Sequence, residues 1–133
     1  MESLPKHEIG IARTVQGTFE EVIEKTEAAL KEQGFGVLTR IDVKATLKDK
    51  LGVDVGRQVI LGACNPPIAH AALQIEPRIA LMLPCNVVVR ETTKGIRVDA
   101  IEPFAMVEMF PGKDLQAVAS EASDRLRKAV AAI

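Results

Sequence analysis

The chain has 133 residues, 47% of them hydrophobic and 26% charged, with a net charge of -1, the statistics of one ordinary soluble domain rather than a disordered chain. At this length folding buries roughly two thirds of the surface that the unfolded chain exposes, so a core needs neither disulfides nor structural metals. Nine basic and ten acidic residues precede Pro67, eight of each follow, and the aromatic set is four Phe with no Trp or Tyr; without a basic half or a stacking platform, nucleic acid is not expected as a partner.

Met1 to Glu8 has no long apolar segment behind its charges, so neither a signal peptide nor a transit peptide is expected and the location reads as cytosolic. The uncharged, mostly apolar stretch Ile79 to Val89 is interrupted by Pro84 and is far short of the roughly 20 residues that span a bilayer, so no membrane anchor is expected there. No repeat, low-complexity tract or linker divides the chain, which reads as a single domain over residues 1–133.

From Ile9 the alternation of Ile9, Ile11, Arg13 and Val15 with small residues predicts a first strand that stops at Gly17. Thr18 with Glu21 forms a capping box for a helix whose Phe19, Val22, Ile23, Thr26, Ala29 and Leu30 share one face and which ends at Gly34. Strand 2 is expected over Phe35 to Ile41, then a short helix capped by Asp42, carrying Leu47 and Leu51 and closed by Gly52. Strand 3 runs from Arg57 to Ala63. Asn65 caps a third helix opened by Pro66 and Pro67 and ended by Pro77 near Ile75. A fourth strand is expected to begin near Ile79, with Pro84 marking an edge or a bulge, and to resume over Asn86 to Glu91. The loop Thr92 to Gly95 joins it as a hairpin to a strand over Ile96 to Ile101. A short sixth strand is expected around Val107. Asp114 then caps a final helix with the apolar stripe Leu115, Val118, Ala119, Ala122, Leu126, Ala129 and Val130. The order βαβαβαβββα favours an α+β sheet with helices on one face; the strand-helix alternation leaves a doubly wound sheet as the alternative.

Several motifs fail on context. Gly34-Phe35-Gly36 follows a helix and opens a strand, the reverse of a dinucleotide fingerprint. Ser120 and Ser123 lie on the last helix outside any nucleophile elbow, and Glu20-Glu21 and Glu102 with Glu108 read as solvated carboxylates. The chemically unusual residues are the two cysteines, which in a reducing compartment are expected as free thiols rather than a disulfide. Cys64 stands just before the helix opened by Pro66, where the dipole and unpaired N–H groups favour a thiolate, the nucleophilic and metal-binding form; a small buried hydrophobe at a strand end is the alternative. Cys85 follows Pro84 and reads more as a core thiol. The 20 residues between the cysteines match no zinc spacing. An antiparallel arrangement of strands 3 and 4 would bring the thiols near each other; a parallel one would separate them unless the length of strand 4 returned Cys85 toward Cys64. His70, six residues after Cys64, is a secondary candidate, and His7 carries little weight in the terminal segment.

Three blocks carry a more specific signal. Ile41 to Lys48, then Ile60 to Pro66 with Cys64-Asn65-Pro66, then Leu83 to Val89 with Leu83-Pro84-Cys85 resemble the domain-of-unknown-function 302 family over roughly Val15 to Met106. The resemblance implies an α+β fold with a curved antiparallel sheet like that of the TATA-box-binding protein, and small stand-alone proteins. It marks Cys64, Asn65, Pro66, Pro84 and Cys85, but implies no activity, and a fold shared with a DNA-bending protein does not transfer function. The leading expectation is a small binding protein that holds a small ligand, a soft metal or a redox equivalent at Cys64 and Cys85, with Asn65, Pro66, Pro84 and His70 nearby. The alternative is a structural or interaction module, a homodimer joined by an apolar sheet face or an edge strand. A cysteine-nucleophile enzyme is a third, for which only His70 offers a general base.

Overall fold

The fold is taken from a computed structural model, which describes residues 7–133; the reading of Met1 to Lys6 as free of a targeting signal lies outside them. The elements are β1 (Gly10–Val15), α1 (Phe19–Glu32), β2 (Gly36–Asp42), α2 (Val43–Leu51), β3 (Gln58–Cys64), α3 (Pro66–Ile75), a 3₁₀ helix (Pro77–Met82), β4 (Cys85–Thr92), β5 (Gly95–Ile101), α4 (Pro103–Val107) and α5 (Gln116–Ala131). The strands form one sheet in the order β1-β5-β4-β3-β2. All four neighbouring pairs are antiparallel, which excludes the doubly wound alternative.

Register places the large apolar side chains on one face. Val59 lies opposite Val89, Leu61 opposite Val87 and Ala63 opposite Cys85, and Val87 and Val89 in turn face Ala100 and Val98. Because side chains alternate with a period of two, these residues share a face, and all are buried. α1 and α5 pack against the sheet. The six α1 residues predicted to share a face are all buried; of the α5 stripe, Val118 is half-buried and the rest are buried. The buried Thr26 hydroxyl donates to the Val22 carbonyl at 2.7 Å, so it enters the core without an unpaired polar group. Arg57 lies over the Phe19 ring at 4.3 Å and pairs with the exposed Glu20, holding that carboxyl below the usual range.

Four expectations are corrected. No strand begins at Ile79: the Glu76 side chain accepts the Arg78 N–H at 2.9 Å, Pro77 opens a 3₁₀ helix, and β4 starts only at Cys85. Pro84 is therefore neither at an edge nor in a bulge; it precedes an inner strand, and its bond to Leu83 is cis. The sixth strand is instead α4, because Glu102 accepts the Phe104 N–H at 3.2 Å and Pro103 occupies the first helical turn, a Glu-Pro start that periodicity alone does not reveal. Asp114 does not cap α5, which begins without a side-chain cap; the buried Leu115, packed in a second apolar cluster with Ala72 and Ile79, sets its start.

Glu102 is almost completely buried. It accepts from Ser123 Oγ at 3.0 Å and from Arg127 Nη2 at 2.5 Å, so one carboxylate caps α4 and ties it to α5. No helix among the described residues is long and apolar enough to cross a membrane.

Burial on a single face has a direct consequence for stability. Leu61→Ala is expected to lower the unfolding free energy by about 3 kcal/mol, whereas Leu81→Ala, at an exposed site, should stay within about 0.5 kcal/mol of wild type in urea denaturation. Equal losses would contradict the one-sided core.

Candidate functional site

The antiparallel register of β3 and β4 brings the two cysteine positions together. Ala63 is the partner of Cys85, and Cys64 is the next residue on β3. Both cysteines line one cavity of about 60 Å³, room for roughly four or five water-sized atoms. The floor is the end of β3 and β4; Ile68, Ala69 and Ala72 of α3, Met106 of α4, and Ala119 and Ala122 of α5 contribute walls. Cys64 is half-buried and Cys85 buried, and both are free thiols.

Asn65 is the one strongly polar side chain at this wall, and each of its polar atoms makes one hydrogen bond to the backbone. Its Oδ1 accepts the Ile68 N–H at 3.3 Å, and its Nδ2 donates to the Gln33 carbonyl at 3.4 Å. Arg125 Nη1 donates to the same carbonyl at 3.2 Å. The end of α1, the start of α3 and the middle of α5 are thus held at one point. Gly34 fits there because its φ is +82° and a Cβ would lie 2.9 Å from the Asn65 amide nitrogen, a double exclusion of other residues.

The α3 N-terminus differs from the expected anion site. Pro66 and Pro67 have no N–H, Ile68 donates to Asn65, and the Ala69 N–H donates to the Asn65 carbonyl at 2.9 Å. The prolines that open the helix remove the donors that a Cys64 thiolate would use. At Cys85 burial pushes the thiol up to about 11, with Cys64 adding a smaller push, so at neutral pH this group is a protonated, weakly polar thiol.

The other predicted residues stand apart. His70 and Pro66 are exposed and neither lines the cavity. Pro84 faces the opposite side of the sheet, where a Cβ on Gly62 would meet its ring at 2.8 Å and Thr39 Oγ1 at 2.1 Å. His7 stacks on Phe104 with centroids 5.1 Å apart and pairs with Glu108. No group of three His, Cys, Asp or Glu capable of holding a metal occurs among the described residues. The walls from α4 and α5 were not anticipated. Their signal is the small pair Ala119 and Ala122 between the larger Leu115, Val118 and Leu126 of the same stripe, which leaves space where a larger residue would fill it.

Residues 11–133 match the family described as domain of unknown function DUF302. Among solved structures, the chain is similar to the crystal structure of an uncharacterized conserved DUF302 protein from Bacillus stearothermophilus. The two share 30% identity with a TM-score of 0.86, over 92% of this chain and 96% of that one. No protein of curated function matches.

Burial of the Cys85 thiol makes stability depend on alkaline pH. A group with a folded value above its unfolded value contributes stability that is fully present below the unfolded value and lost as pH rises. For Cys85 that window runs from about pH 9 to about 11, where the unfolding free energy should fall by up to ~1.4 kcal/mol per pH unit. Cys85→Ala should remove that part of the alkaline slope. At pH 8 a disulfide reagent should modify Cys64 in the folded protein and Cys85 only after denaturation; rapid labelling of both in the native state would contradict the burial.

Proposed function

The chain belongs to the DUF302 family, and within it we propose that this protein binds a small, neutral, apolar or sulfur-containing molecule in the cavity between the sheet end and α3, α4 and α5. The observation that carries this is the lining: two thiols, one of them held protonated by burial, among alkyl side chains, with each polar atom of Asn65 already engaged in one backbone hydrogen bond. Such a wall rewards dispersion and soft contacts to polarisable atoms and returns nothing for the desolvation of a charged ligand. Thiolate chemistry, whether a soft metal, a redox equivalent or covalent catalysis, ranks lower, because the donors expected at the α3 N-terminus are missing and no histidine stands near either thiol. A cytosolic location belongs to the same proposal, since reducing conditions keep thiols free. Nucleic acid has no place in it: on the uncovered sheet face Arg97 is paired with Asp99 at 3.3 Å.

A second reading, self-association as a homodimer, is favoured by one observation. Among the described residues, half of the large exposed apolar side chains, Leu38, Ile41, Leu51 and Val53, fall on β2, α2 and the loop that follows, a concentration that a monomer gains nothing by exposing.

Xenon under pressure is a suitable probe of the cavity. Chemical-shift changes are expected at the methyl groups of Ile68, Met106 and Ala122 in the wild-type protein and not in Ala119→Leu, whose added side chain fills the space. A ligand of the right class at ten times its dissociation constant should add about 1.4 kcal/mol of stability. No shift in the wild type, or the same shifts in Ala119→Leu, would remove the cavity as the site.

A further inference from the structure

The two edges of the sheet are finished differently. On β1, Arg13 Nη1 donates to the carbonyls of Ala131 at 2.7 Å and Ile133 at 2.8 Å, so the end of α5 is strapped to that strand. On β2, six of the seven residues are exposed, and α2 buries no residue. The irregularity in β2 pairing lies between Val37 and Thr39, which leaves Thr39–Asp42 as a regular strand segment with an open hydrogen-bonding edge. Ile41 is 48% exposed in its centre, Leu38 is 66% exposed beside it, and Leu51 on α2 is 69% exposed.

The charges on this segment select a partner. Arg40 lies opposite Leu61 and Asp42 opposite Val59, so the two flank Ile41 on one face of the strand. In an antiparallel second copy aligned Ile41 to Ile41, Arg40 of each chain stands opposite Asp42 of the other, twice over, with the two isoleucines meeting on the opposite face. Moving the two-fold axis one residue either way sets Arg40 against Arg40 or Asp42 against Asp42, a like-charge contact across strands. Among the described residues Arg40 pairs with Glu27, at 3.8 Å between exposed side chains, and Asp42 accepts the Ala45 N–H at Oδ1 and the Thr46 hydroxyl at its backbone carbonyl. Neither residue is committed to a buried partner.

We infer that β2 pairs antiparallel with β2 of a second copy of this chain about a two-fold axis at Ile41. The result is one continuous sheet of five strands from each copy, with α1 and α5 of both copies on the same side. This interface rests on the homodimer reading above and is independent of the cavity.

Sedimentation equilibrium of the full chain at micromolar concentration tests it, with circular dichroism to confirm that each variant is folded. The wild type is expected to be a dimer. Ile41→Lys and Arg40→Glu, both at exposed positions, should each raise the dissociation constant at least about tenfold, while Leu81→Lys, on the separate exposed site of the 3₁₀ helix, should leave it unchanged. A monomeric wild type would overturn both the interface and the homodimer reading. A dimer insensitive to Ile41→Lys and Arg40→Glu would overturn the β2 interface alone and leave self-association through another surface.

Discussion

The pairing of Ala63 with Cys85 at the joined ends of β3 and β4 is the constraint from which the rest of the molecule follows. These strands are neighbours although α3 and the 3₁₀ helix separate them in sequence, so the chain must leave the sheet after Cys64, cross its end and return at Cys85. The excursion has to cover the sheet end that it leaves exposed. α3 and the 3₁₀ helix supply part of that cover, and α4 with the first turns of α5 supply the remainder, forming the second apolar cluster around Ala72, Ile79 and Leu115. The cavity lies where this cluster meets the main core, and the two thiols share it because they mark the departure and the return.

Asn65 holds that departure in place. Its side chain begins α3 and reaches the Gln33 carbonyl, while Arg125 reaches the same carbonyl from α5. An amide suits the position because it accepts from one backbone group and donates to another; an aspartate would keep the cap and lose the donor. The double proline that follows removes two N–H groups from the helix start. Together these residues leave few free N–H donors at the start of α3, and Cys64 stands beside a wall made mostly of alkyl groups.

The sequence makes the local devices legible. Thr18, Asp42 and Asn65 are the caps that their chemistry predicts, and the α1 face follows from a 3.6-residue period. The two cysteines could be singled out, and the condition for their meeting stated, but strand direction could not be read, because a strand-helix-strand unit suits either sense until register is known. Ile79, Leu81 and Leu83 alternate as a strand would, yet Glu76 and Pro77 start a 3₁₀ helix there. Glu102-Pro103 does the same before Met106. In both cases a capping carboxylate followed by proline outweighs the hydrophobic pattern, and Glu, being less common as a cap than Ser, Thr, Asp or Asn, gives a weak signal. The cavity itself was not legible, since its alanines lie on helices distant in sequence from either thiol.

Those alanines bear on whether the space has a purpose. A pocket of about 60 Å³ leaves its apolar lining without the contacts that a filled core would give it. Ala69 and Ala72 on α3, and Ala119 and Ala122 on α5, face it from two sides, and a single larger aliphatic residue at one of them would close it. Elsewhere the same core is tightly filled by Leu30, Leu61, Leu126 and Val87, so the fold has the means to pack large residues and uses small ones at this wall. The cysteines fit the same pattern, each a compact, polarisable group that leaves more room than leucine would. A pocket lined this way offers compact, polarisable groups and open space rather than charge.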